Sequence, residues 1–228
     1  MNATPHLSAR QVIKSFGPTQ ALRGVDIDVL PGELVAVMGP SGSGKSTLLH
    51  CLAGVLIPDD GEVWFAGRRV DKLPEAERSA LRRHSFGFVF QFGQLIPELP
   101  AVENVALPLL LDGTGRRGAL AAARDALERL AMGDFAASRP GEMSGGEAQR
   151  IALARALVTQ PAVLFADEPT GSLDSLATER VMDLLVDVAQ EDGTTVVLVT
   201  HNPRVAAYAA REVVVRDGQT TTSVVSAS

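Results

Sequence analysis

"LVAVMGPSGSGKSTLLHCL", residues 34–52, carries the architecture of this chain. Its first five residues are apolar without a break, which reads as a strand buried on both faces, since a half-wet strand would alternate. Glycines follow, and a helical stretch from Lys45 then sets Leu48, Leu49 and Leu52 along one side. Between the two, "GPSGSGKST" (39–47) fits G-x-x-x-x-G-K-[ST] in the strand-then-helix context that this phosphate-binding loop requires. Glycines let backbone N–H groups close around phosphate oxygens, and the helix N-terminus adds its dipole. Lys45 is placed for the β- and γ-phosphates and Ser46 for a Mg²⁺ ion. A glycine-rich turn with a solvated lysine is the plainer account; the flanking strand and helix weigh against it.

Outward from this loop the pattern repeats. Residues 7–29 read as strands, with Val25, Ile27 and Val29 alternating with Asp26 and Asp28 before the Pro31-Gly32 turn. A turn at 58–61 precedes a short strand, "EVWFAG". From 97 to about 140 the chain turns Ala- and Leu-rich with helical spacing; Leu120, Leu127 and Leu130 form one stripe and Gly133 a C-terminal stop. Two more apolar strands come late, "AVLFA" (162–166) and "TTVVLVT" (194–200), with helical segments near 178–189 and 204–209. Strands alternating with helices imply an α/β protein whose mostly parallel sheet has helices on both faces. The Ala/Leu-rich middle reads as an inserted helical lobe.

The 228 residues fit one large domain or a core with a smaller lobe. No apolar run approaches the roughly 18 residues that span a bilayer. The start, "MNATPHLSAR", does not read as a signal peptide, and from the short stretch after Gly218 no appended C-terminal domain is expected. The single cysteine, Cys51, excludes an internal disulfide, fits a reducing compartment and is expected to pack behind the loop's helix. A net charge of −6 argues against nucleic acid as partner.

Further candidates cluster at strand ends. "AVLFADEP" runs an apolar strand into Asp167 and Glu168: one carboxylate can face a metal, the other polarise an attacking water. His201 directly follows "TTVVLVT", a candidate donor to a γ-phosphate, and Gln91 follows "FGFVF" at the entrance to the helical lobe, within reach of a metal. Each has a bland reading as a solvated loop residue. His6, His50 and His84 carry no functional expectation.

"EMSGGEAQR" (142–150) poses a separate question. Ser144 and Glu147 are accounted for by a capping box. Gly145 and Gly146 are not, because each costs about 1 kcal/mol against alanine inside a helix. Such glycines suit a helix tip that approaches an anion closely. No buried strand precedes them, so the tip would cover a nucleotide held by a second copy of the chain.

The ordered set "GPSGSGKST", Gln91, "MSGGEAQR", "LFADEP", "GSLDS" and His201 resembles the ATP-binding subunit of ABC transporters over essentially the whole chain. The resemblance implies a RecA-like P-loop fold: a mostly parallel core with an N-terminal antiparallel β subdomain (together about 1–92 and 150–228) and an inserted α-helical subdomain (about 93–149). It implies ATP and Mg²⁺, and two subunits meeting head to tail around two ATP molecules. By this likeness Phe16 stacks on adenine, and Gly39, Ser41, Gly42, Ser43, Gly44, Lys45, Ser46 and Thr47 hold phosphates and metal. Gln91 links the metal to the helical lobe, Asp167 supports Mg²⁺, Glu168 orients the hydrolytic water and His201 contacts the γ-phosphate. Ser144, Gly145 and Gly146 act in trans, with Asp174 in the loop joining the sites. Met143, Glu147 and Asn202 stand where Leu, Gln and Asp are commoner, but none has an assigned chemical role.

The stretches 86–111, 143–157 and 166–175 look like the branch of lipoprotein-releasing, macrolide-exporting and cell-division ATPases. That likeness implies an integral membrane permease as partner, a place at the cytoplasmic face of the membrane, and export or force transmission driven by ATP hydrolysis. Two other readings stay open: the ATPase head of a soluble DNA-repair, chromosome or translation machine, and a nucleotide-dependent clamp without useful turnover. Long coiled-coil arms, zinc-binding Cys pairs or a second head would mark the former, and the retained Glu168 and His201 weigh against the latter.

Overall fold

Two sheets share the chain in a computed structural model that describes residues 4–223. Part of the N-terminal stretch read against a signal peptide, residues 1–3, and residues 224–228 of the tail lie outside it. Strands β1 (Leu7–Phe16), β2 (Thr19–Val29), β4 (Asp60–Phe65) and β5 (Arg68–Arg69) form an antiparallel sheet in the order β2-β1-β4-β5. The second sheet comprises β3 (Leu34–Met38), β6 (Phe86–Phe90), β7 (Val163–Asp167), β8 (Thr195–Val199), β9 (Arg211–Arg216) and β10 (Gln219–Ser223). Its order is β10-β9-β3-β8-β7-β6, parallel throughout except for β10. The expected α/β architecture, with its antiparallel N-terminal sheet, is thus observed.

The unbroken apolar runs are explained by what covers them. Val35, Val37, Val163, Phe165, Val197 and Val199 face one core, shared with the antiparallel sheet and helix α1 (Lys45–Leu52). Leu34, Leu164, Ala166, Val196 and Leu198 face the other, against the helices. Side chains alternate along a strand, so burial on both faces demands apolar residues at every position. Cys51 lies buried in the first core, and that burial lifts its thiol pKa to about 12, so it packs as an inert small hydrophobe.

The remaining helices are α2 (Glu75–Ser85), α3 (Ala101–Leu111), α4 (Arg116–Arg129), α5 (Gly145–Leu157), α6 (Ser175–Gln190) and α7 (Pro203–Ala206). The stripe buried by α4 is Ala119, Ala123 and Leu127, carried on by Leu130; Leu120 is only half-buried at its margin. Small residues at this spacing let α4 sit close, which a leucine count overlooks. Helix α7 is shorter than the expected 204–209. Helix α2 and the β9–β10 hairpin were not expected, though signals existed. Glu75 and Glu77 open α2 and Arg82 and Arg83 close it, complementing its dipole. Asp217-Gly218, with φ 49° and 76°, is a two-residue hairpin turn.

That hairpin backs the phosphate loop. Gly218 N donates to Ser43 O at 3.2 Å. A Cβ on Gly39, at φ 149°, would overlap Val215 O, and one on Gly44, at φ 105°, would overlap Ala21 O. Both positions therefore require glycine for lack of space and for backbone conformation alike.

Candidate functional site

The parallel strands end on one edge, and the residues just past those ends converge there. β3 leads to Gly39, β6 to Gln91, β7 to Glu168 and β8 to Thr200 and His201. The register explains it: Phe90 pairs with Asp167 and Asp167 with Val199, so residues far apart in sequence leave the sheet side by side. Ligands of open parallel sheets bind at this edge. The resulting cleft, about 630 Å³, is lined by Ser41, Gly42, Gly44, Lys45, Ser46, Thr47, Gln91, Glu168 and His201, together with Ala21, Pro40 and Val199. Ala21 carries no sequence signal.

The loop suits a polyphosphate. Lys45 Nζ donates to Gly39 O and Pro40 O, each at 2.9 Å, which leaves a third N–H free. Ser43 Oγ is buried with no hydrogen-bond partner, an orphan that a phosphate oxygen would satisfy. A Cβ on Gly42, at φ 77°, would meet nothing within 4 Å, so that glycine serves backbone conformation and open approach.

Ser46 Oγ lies 3.2 Å from Asp167 Oδ1. Burial raises the Asp167 carboxyl above its ordinary pKa, opposed by the Ser46 hydrogen bond. Among the described residues no cluster of three or more His, Cys, Asp and Glu side chains could hold a metal. A hydroxyl, a carboxylate and an amide suit Mg²⁺, which binds through few protein oxygens plus substrate phosphates and water.

Glu168 Oε1 lies 2.6 Å from His201 Nδ1, and Glu168 Oε2 accepts from Thr200 Oγ1 at 3.4 Å. Glu168 has φ 50°, a left-handed conformation costing roughly 1–2 kcal/mol for a residue other than glycine. Its N–H donates to Val199 O at 2.9 Å, which holds the turn that aims the carboxylate into the cleft. Thr200 is an addition that sequence reasoning missed; it closes a strand-sized apolar run, and that was its only signal. Gln91 packs on Gly171, where a Cβ would lie 2.8 Å from Gln91 Nε2. Phe16 stands at the end of β1, 49% exposed, outside the cleft lining, with Lys14 Nζ 5.8 Å from its ring centroid.

Ser144, Gly145, Gly146 and Asp174 line a separate hollow with Arg150, Leu176 and Arg180. Among the described residues the two hollows share no lining side chain. Ser144 builds the capping box: Glu147 N donates to its Oγ at 3.3 Å, while Ser144 N and Oγ donate to Glu147 Oε2 at 2.7 and 2.8 Å. Those two donors hold the Glu147 carboxyl below its ordinary pKa. Asp174 caps α6, accepting from Ala177 N at 2.8 Å. The two glycines differ. A Cβ on Gly146 would lie 2.9 Å from Ala177 Cβ, so packing of α5 on α6 already calls for glycine. A Cβ on Gly145 would meet only Leu173 Cδ2, at an ordinary 3.6 Å, leaving Gly145 as the one without an internal reason.

A strand–loop–helix cradle with carboxylates on the neighbouring strand ends defines a P-loop nucleotide hydrolase. Residues 22–171 match the ABC transporter family, and the chain belongs to it as an ATP-binding, ATP-hydrolysing cassette. It is 48% identical over 202 residues to the lipoprotein-releasing system ATP-binding protein LolD 2 of Caulobacter vibrioides, covering 89% of each chain. It is 50% identical over 204 residues to LolD of Myxococcus xanthus, covering 88% of this chain and 91% of that one. Its fold matches the dimeric, post-hydrolysis structure of the ATP-binding cassette MJ0796 bound to ADP and Pi with a TM-score of 0.87, at 38% identity, over 96% of this chain and 98% of that one.

Proposed function

We propose that two copies of the chain face each other head to tail and close two ATP molecules between them, each held by the P-loop of one copy and covered by Ser144, Gly145 and Gly146 of the other. The observation that carries this reading is the separation of the two hollows: within one chain the Ser-Gly-Gly helix tip is no part of the P-loop cleft. The MJ0796 cassette, of like fold, is dimeric and bound to ADP and Pi.

In this reading the P-loop amides, Lys45 and Ser43 bind the phosphates, and Phe16 stacks on adenine. Ser46, Asp167 and Gln91 hold Mg²⁺, which supplies charge neutralisation on the phosphates. Glu168 orients the attacking water and His201 contacts the γ-phosphate while positioning Glu168. Asp174 ties the helix tip to the neighbouring site. The helical subdomain, about 93–149, moves against a core made of about 1–92 and 150–228, the second boundary falling within α5.

The cassette drives an integral membrane permease from the cytoplasmic face, in a lipoprotein-releasing type of system that uses closure around ATP as force. The LolD relatives support this, and no helix among the described residues is long and apolar enough to cross a membrane itself. Phosphate release per chain, measured over a wide range of dilution, tests the shared site: the specific rate falls as the protein is diluted. A rate per chain that stays constant at every dilution overturns it. Co-isolation with a permease from detergent-solubilised membranes tests the partner.

A further inference from the structure

Between β6 and α3, residues 91–100 lack regular structure, so their carbonyls need partners other than a ladder. Around Gln91 side chains supply partners alongside two turn hydrogen bonds, Gly93 N to Phe90 O at 3.0 Å and Gln94 N to Phe92 O at 2.7 Å. Gln149 Nε2 donates to Phe90 O at 2.9 Å, Ser172 Oγ to Gln91 O at 3.1 Å, and the Arg155 guanidinium to Gly93 O at 2.6 Å and Gln94 O at 2.8 Å. Gln149 and Arg155 both belong to α5, the helix that begins with the Ser-Gly-Gly tip. Gly93 lies against that helix between them: a Cβ there would be 3.3 Å from Ala152 Cβ and 3.4 Å from Gln149 Oε1.

Packing alone does not call for these polar groups. α5 already buries Ile151, Ala152, Leu153, Ala154 and Ala156. Gln149 is 2% exposed, and the part-buried Arg155 meets carbonyls without a carboxylate partner among the described residues. Burial lowers its pKa accordingly. A desolvated cation without a counter-charge is a poor way to stabilise a helix. What a guanidinium uniquely offers is a rigid fork for two successive carbonyls. The turn it holds carries strain at Gln94, at φ 48°, beside Gly93 at φ 65°, which glycine adopts freely.

We propose that Arg155 and Gln149 are positioning residues for hydrolysis: they fix the backbone on both sides of Gln91, so that the helix whose tip covers one nucleotide also sets the Gln91 amide at the other. This rests on Gln91 acting at the metal, as read above. Coupling between the two sites then runs through hydrogen bonds from one helix to one loop, which is why the loop needs no regular structure of its own.

The test makes Arg155→Lys, which keeps the charge but loses the fork, and Gln149→Leu, each alone and combined with Gln91→Ala. Steady-state phosphate release by the full chain is followed against ATP and against Mg²⁺. Each single variant is expected to lower kcat about tenfold, the scale of a small misplacement of a catalytic group. KM for ATP stays within about twofold and the Mg²⁺ needed for half the maximal rate rises. In the Gln91→Ala chain the same substitutions change kcat by less than about twofold, because the group they position is gone. Equal losses in both backgrounds, or no loss in the otherwise native chain, overturn the proposal while leaving Gln91's role intact. Full activity of Gln91→Ala alone overturns that role and the clamp with it. If Arg155→Lys does not fold, Gln149→Leu carries the same comparison.

Discussion

His201 Nδ1 lies 2.6 Å from Glu168 Oε1, across 33 residues of sequence. The contact follows from adjacency of β7 and β8: Asp167 and Val199 are register partners, so the residues just beyond them leave the sheet together. The left-handed turn at Glu168 then brings the carboxylate round to the imidazole. In the function proposed above, a carboxylate held in place is ready to orient a water before ATP arrives.

Glu168→Gln is expected to keep the shape of this arrangement and lose its basicity. Hydrolysis falls by about 10²- to 10⁴-fold, the usual worth of a positioned general base, while ATP still binds. Light scattering with ATP and Mg²⁺ checks the consequence: the variant accumulates as a dimer, and a variant that stays monomeric counts against the shared site.

The two glycines of the Ser-Gly-Gly tip, Gly145 and Gly146, separate packing from function. Gly145→Ala has room for its methyl and gains helix propensity, so stability rises by about 0.5–1 kcal/mol, yet hydrolysis slows because the tip can no longer approach the partner's nucleotide. Gly146→Ala drives a methyl into Ala177 and costs about 1–3 kcal/mol. Thermal unfolding and phosphate release on both variants check this; Gly145→Ala that is more stable and fully active removes the reason for that glycine.

Ser144→Arg is expected to abolish hydrolysis and leave the nucleotide affinity of the isolated chain within about twofold. The capping box is lost with it, at about 1 kcal/mol. Equilibrium titration with a fluorescent ATP analogue reads the affinity, and a large loss in the monomer means that the helix tip acts within its own chain.

Asp167 links stability to pH. Burial raises its folded pKa above the ordinary 3.8, so over the interval between the two values the folded state holds the proton more tightly than the unfolded one. The carboxyl's contribution is therefore neutral below the unfolded value, grows more destabilising as pH rises from the unfolded value to the folded one, and stays constant above it. Asp167→Asn removes it: metal-free thermal unfolding at neutral pH shifts upward and its pH dependence flattens, while Mg²⁺-dependent hydrolysis falls about 10²-fold. An Asn variant less stable than the native chain at neutral pH contradicts this.

The sequence by itself determined the α/β class, the phosphate loop and every strand that follows a long apolar run. Burial on both faces leaves such a strand no polar position, and a backbone that must wrap phosphate or clear Val215 and Ala21 leaves no choice but glycine. Local patterns of this kind are written residue by residue. The β9–β10 hairpin escaped because its strands are short, and α2 because Ala76, Ala80 and Leu81 are its only apolar residues, even where a turn or dipole signal was present. The separation of the Ser144 tip from the Lys45 cradle was already expected from the missing strand before it; only tertiary structure decided that Gly146 answers to Ala177 while Gly145 does not, and that Gln149 and Arg155 grip the carbonyls around Gln91. Those facts are set by strand order and helix contact between residues distant in the chain, and the backbone carbonyls that Gln149 and Arg155 hold look alike in any sequence.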